Sequence, residues 1–112
     1  MRKCLWTLLV ALLLTSCSGG NAYAEKIIDL CETALDEFHE AETLEELENL
    51  NRDLKEAQAQ AEKDLQESRQ ALTASIAAFD EDSYQLYLEM LAAESRAQFA
   101  YQKRNAELSE NK

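Results

Sequence analysis

The chain has no proline, and its only two glycines, Gly19 and Gly20, stand side by side. From Asn21 onward nothing in the sequence breaks a helix outright. Proline removes an amide donor and glycine frees the backbone. A stretch without either is bounded only by caps and by shifts in hydrophobic phase. Ala, Leu, Glu, Gln, Lys and Arg dominate it, and these are strong helix formers. Its apolar positions recur too regularly for disorder. The fold class that follows is all-α.

Phase divides the stretch. Ile27, Cys31, Ala34 or Leu35, and Phe38 recur at helical spacing and predict a first helix over 23–41. A second stripe runs Leu47, Leu50, Leu54, Ala57, Ala61, Leu65, Ser68, Leu72, Ile76 and Phe79, which predicts a helix over 44–79. Its Ala57-Ala61-Leu65 segment steps by two fours, a stutter in the heptad pattern. Phe38 and Leu47 are nine residues apart, which on one continuous helix would set them on opposite faces. A turn near 41–43 resolves the conflict, with Thr43 and Glu46 as a capping box. The same test separates Phe79 from Leu88, where Asp80-Glu81-Asp82-Ser83 supplies turn and cap. A third helix over 83–108 is expected to bury Tyr84, Leu88, Leu91, Ala92, Ser95 and Phe99.

These helices would measure about 29, 54 and 39 Å. Short turns make neighbours antiparallel. The expected architecture is an elongated antiparallel three-helix bundle with a long central helix, preceded by a signal-peptide helix. Its divisions are 1–16 (signal), 17–22 (anchor and spacer) and 23–112 (helical domain).

The first residues carry an address. Arg2 and Lys3 precede Leu5 to Leu14, ten residues that are apolar apart from Thr7. That is too short to cross a hydrocarbon core, which takes about 20 residues as a helix. It suits a signal peptide. Leu14-Thr15-Ser16-Cys17 closes it. A branched residue, two small residues and a cysteine resemble the lipidation box of bacterial lipoproteins. The resemblance implies a diacylglycerol thioether on Cys17 and cleavage before it. It implies attachment to a membrane through lipid, in the cell envelope. Ser18 resembles the default class sent to the outer membrane of two-membrane bacteria. The alternative is a secretory signal cut after Ala22-Tyr23-Ala24. The chain is also similar to the murein lipoproteins in being short, helical and Lys-ended at Lys112, and it departs from them in its capped turns.

Without Arg2 and Lys3 the chain carries 9 basic and 22 acidic residues, a net charge of −13. Such a surface repels nucleic acid and anionic headgroups, so the lipid must do the anchoring. Of three cysteines, Cys4 leaves with the signal and Cys17 is taken by lipid. Cys31, among Leu30, Ala34 and Leu35, reads as a buried small hydrophobe.

No nucleophile motif, phosphate loop or second histidine accompanies His39, so no enzyme and no cofactor is expected. Asp36 to Glu48 holds seven acids around His39 and no Lys or Arg. It reads as a solvated junction, or alternatively as a surface for a cationic ligand or metal. Tyr84, Tyr87, Phe99 and Tyr101 form an aromatic arc, a candidate face for a protein partner or a homodimer.

Overall fold

A computed structural model describes residues 21–110. The signal segment, the expected signal helix, Leu14-Thr15-Ser16-Cys17 and Lys112 lie outside the described residues. Four helices follow one another: α1 (Asn21–Glu40), α2 (Leu44–Asp64), α3 (Gln66–Ala77) and α4 (Glu81–Glu110). The architecture is all-α. The long dimension of 50 Å is set by α4, whose 30 residues alone span about 45 Å.

The first turn falls where the phase conflict requires it, and both residues that create the conflict, Phe38 and Leu47, are fully buried. The Thr43 hydroxyl accepts from the Glu46 amide at 3.1 Å, as a capping box demands. The Glu46 carboxylate returns one residue further than expected, accepting from the Glu42 amide at 3.4 Å.

The expected continuous helix over 44–79 is interrupted at Leu65, where φ is −116° and ψ is 34°. Hydrogen bonding continues on both sides: the Leu65 amide donates to Ala61 and its carbonyl accepts from Arg69, each at 2.9 Å. The break coincides with the stutter. Each step of four residues advances the stripe by about 40° around a straight helix, so two in succession carry it off the core. Re-aiming the backbone at Leu65 returns Ser68 and Leu72 to buried positions.

The α3–α4 turn is a Schellman closure. The Asp80 amide donates to the Ser75 carbonyl and the Phe79 amide to Ile76, both at 3.0 Å. Phe79 sits between them with φ of 62°, a left-handed conformation that glycine adopts freely and that costs other L-residues about 1–2 kcal/mol. Within Asp80-Glu81-Asp82-Ser83 it is Asp80 that caps α4. Its carboxylate accepts from the Ser83 amide at 3.0 Å and the Ser83 hydroxyl at 2.6 Å. The helix therefore starts at Glu81. The break lies where phase puts it, but one premise fails, because Phe79 is 94% exposed and Leu88 is 39% exposed.

Paired residues give the directions. Ala41 meets Arg104, and Phe38 meets Tyr101, so partners on α1 and α4 are 63 positions apart in both cases. A constant difference means parallel helices, and it sets Asn21 level with Tyr84. Gln58 meets Cys31 and Ser68 meets Tyr23. Position numbers that fall on one helix as they rise on the other mean that α2 and α3 run opposite to α1. Asn21 and the Phe79 turn thus share one end of the molecule.

Candidate functional site

The core is built mainly on α1, whose Ala24, Ile27, Cys31 and Phe38 are buried. What α4 offers to it is not the expected face. Ala93, Ala97 and Ala100 are at most 2% exposed, and Met90 is 6% exposed. Tyr84, Leu88, Leu91, Ala92, Ser95 and Phe99, expected inside, all face solvent. The reason is steric. Successive alanines at helical spacing let two backbones approach closely, and the 63-residue offset puts Ala34 level with Ala97. Close packing of backbone atoms is gained all along that contact. A leucine or tyrosine row in its place would hold the helices apart.

α4 therefore has two apolar sides. The inner one is alanine. The outer one carries Tyr84 at 48%, Leu91 at 39% and Phe99 at 67% exposure, with Leu88 between them. Full burial of one Leu or Phe side chain stabilises by about 1.5–3 kcal/mol. The isolated chain forgoes much of that at several positions along one row. Tyr84, Leu88, Leu91 and Ser95 step by four, three and four, the spacing of a coiled-coil seam.

The aromatic arc is divided by this rotation. Tyr84 and Phe99 are on the outer side. Tyr87 is half-buried, packed against the core. Tyr101 belongs to the core: its ring meets Phe38 edge-on, centroids 5.6 Å apart. Phe99 instead borders a groove between α4 and α1 whose other walls are Leu35, His39, Arg96 and Lys103.

His39 lines the same groove as Arg96 and Lys103. Glu46, one of the seven acids, is engaged in the cap. Among the described residues no group of three His, Cys, Asp or Glu side chains is placed to hold a metal ion. Asp80 of the second acid cluster is held below its ordinary value by the Ser83 hydroxyl and amide, as a helix cap is.

Cys31 is 1% exposed. Gln58 donates to its sulfur at 3.5 Å. Burial, reinforced by Glu94, pushes the thiol up to about 11, against the hydrogen bond from Gln58. Such a thiol is inert at neutral pH. Glu94 itself is raised, first by burial and then by the charge of Glu62. Tyr23 is raised by burial and by Glu62, with Arg69 opposing.

No helix among the described residues is long and apolar enough to cross a membrane. The outer row of α4 was legible in the sequence as apolar and periodic. What the sequence did not reveal is that its alanines would win the inside. Comparison of the chain with protein-family models, with curated proteins and with solved structures gave no match.

Proposed function

We propose that this chain is a lipid-anchored lipoprotein of a bacterial envelope, on the outer membrane of a two-membrane cell, and that it works by protein contact without catalysis. Two features support the reading. Leu14-Thr15-Ser16-Cys17 behind a basic, then apolar, leader supports the anchor. The solvent-facing row Tyr84, Leu88, Leu91 and Phe99 supports the contact, and it is the observation that carries the function. The domain acts as three rods, with α2 and α3 forming one bent rod.

Anchor and contact face are related in space. Ser18 to Asn21 spans at most about 14 Å. The end of the molecule that carries Asn21 and the Phe79 turn then stays close to the bilayer, and α4 rises from it. The net charge of −13 disfavours adsorption of the remaining surface to anionic lipid.

Growth with a labelled fatty acid, followed by membrane fractionation, tests the anchor. The wild-type chain takes up label and sediments with membranes, and Cys17→Ser does neither. Label persisting in Cys17→Ser rules the anchor out. The contact is tested by Leu91→Glu, which keeps the helical circular dichroism spectrum and loses the chain's crosslinked adducts in native envelopes. Unchanged adducts rule out this face.

A further inference from the structure

The groove between α1 and α4 differs in charge from the rest of the chain. Its basic walls are His39, Arg96 and Lys103, its apolar walls are Leu35, Phe99 and Ala100, and no Asp or Glu lines it. The chain as a whole holds 22 acidic residues against 11 Lys and Arg, so a stretch with basic walls alone is unlike the remaining surface. Among the described residues the only ion pair joins Arg104 to Glu107, so none of the three basic walls is engaged with a carboxylate.

The groove is layered. Partners on α1 and α4 are 63 positions apart, which sets Leu35 within one residue of the level of Phe99 and His39 within one of Lys103. An apolar pair is thus followed, one turn or about 6 Å further on, by a pair of hydrogen-bond donors. Arg96 stands at the other end, about 10 Å from Lys103 along the axis. There Glu32, exposed and on the same side of α1 as His39, is level with Arg96 and supplies counter-charge. Asp36 and Glu40 are turned about 60° and 100° from His39 around α1, so the uncompensated end is that of Lys103. We propose that the groove binds a free amphipathic carboxylate, the anion of a medium-chain fatty acid. Its head lies between His39 and Lys103, where an imidazole N–H and an ammonium donate to it. Its tail crosses Leu35, Phe99 and Ala100 toward Arg96, whose aliphatic stem covers the tail while the guanidinium stays in water. Phe99, 67% exposed in the isolated chain, is covered in the complex.

Size and sign select this ligand. The groove holds about 390 Å³, toward the small end of the range of about 300–1,000 Å³ for ligand clefts. Its length of about 10 Å suits one medium alkyl chain. A cationic amphiphile of the same length would meet Lys103 with like charge. The acidic surface elsewhere repels an anion, which confines binding to this one place. Leu35 and His39 lie about 21 and 27 Å along α1 from Asn21. On a chain tethered just before Asn21 the groove stands away from the headgroups, so the carboxylate comes from solution. That source rests on the anchor reading above; the site does not. The site is also separate from the contact row, since Leu91 is not among its walls.

The test is photolabelling of the full chain in native envelopes with a diazirine-bearing decanoate, followed by mass-spectrometric mapping of the modified residues. Label falls on the walls, within Leu35 to His39 and Ser95 to Lys103. Excess decanoate displaces it and decylamine does not. Lys103→Glu lowers the groove label about fivefold, and Lys103→Arg keeps it. Circular dichroism shows that each variant folds. Equal displacement by decylamine, or full labelling of Lys103→Glu, overturns the proposal, because the groove would then take any apolar chain. Label confined to residues outside the walls overturns the site. Displacement by phosphatidylglycerol vesicles and not by decanoate gives the groove to a lipid headgroup and overturns the free carboxylate. Leu91→Glu, which tests the contact row, leaves the groove label unchanged, so the two readings fail separately.

Discussion

Arg104 donates from its Nε to the carbonyl oxygen of Ala41 at 2.8 Å, joining the far half of α4 to the residue that ends α1. The last carbonyls of a helix have no partner within it, and the negative end of its dipole favours a cation. One guanidinium serves both needs and also reaches Glu107 at 3.7 Å. Ala41 is fully buried, so water does not replace the lost donor freely.

Arg104→Ala is accordingly expected to destabilise the fold by about 1–2 kcal/mol, the range of a partly buried charged hydrogen bond. Glu107→Ala, which removes only the more exposed ion pair, costs less than about 0.5 kcal/mol. Urea denaturation of the two variants checks the ratio. Equal losses would mean that the Ala41 contact contributes nothing.

The opposite end of α1 is capped across the fold. The Tyr23 amide, in the first turn and unpaired within its own helix, donates to the Ser68 hydroxyl at 3.0 Å. This explains why a serine sits buried in the α3 stripe. Ser68→Ala leaves that amide buried without an acceptor, at a cost of about 1–2 kcal/mol. Thr retains the oxygen and recovers part of the loss. A thermal melt in which Ser68→Ala matches wild type would show that the bond carries no stability.

Two carboxyls give the stability opposite pH trends. Glu94 is raised above its ordinary 4.5 by burial and by Glu62. The folded chain holds that proton where the unfolded chain has released it. Its favourable contribution is complete below 4.5 and is lost as pH rises through the folded value. Asp80 is lowered from 3.8 by the Ser83 hydroxyl and amide, so its contribution is present above 3.8 and is lost on acidification through the folded value. Glu94→Gln is therefore more stable than wild type at pH 7 and gains nothing near pH 3. A gain independent of pH would point to packing rather than charge.

The turns were readable because each left a local signature. Thr43 and Glu46 announce one cap, and Asp80 with Ser83 announces another. The break at Leu65 was present as a stutter, but a stutter fixes where strain accumulates and not whether the backbone bends or breaks. Hydrophobic ranking alone turns the wrong face of α4 inward, because it puts Leu, Tyr and Phe above Ala. Burial in a helix pair also depends on how closely two backbones can approach, and that is set by both helices together. Ala34 on α1 is as much a part of the choice as Ala97 on α4. The long-range polar contacts, Tyr23 with Ser68 and Gln58 with Cys31, join residues 45 and 27 positions apart and leave no periodic trace.

The two sides of α4 make opposite demands on substitution. Ala97 is 1% exposed, level with Ala34 in the α1–α4 contact, so Ala97→Leu must push the helices apart or adopt strained rotamers. Overpacking of this kind costs about 1–3 kcal/mol. Leu91→Ala, on the outer row, removes a side chain that the single chain does not enclose, and it changes monomer stability by less than about 1 kcal/mol. If the hydrophobic ranking had governed the fold, the order would be reversed, since a core leucine cut to alanine costs about 2–5 kcal/mol. Denaturation is best measured at a protein concentration low enough for the chain to be monomeric, so that loss of self-association does not enter the Leu91→Ala value. A larger loss in Leu91→Ala than in Ala97→Leu under those conditions would return the leucine row to the interior and remove the contact face with it.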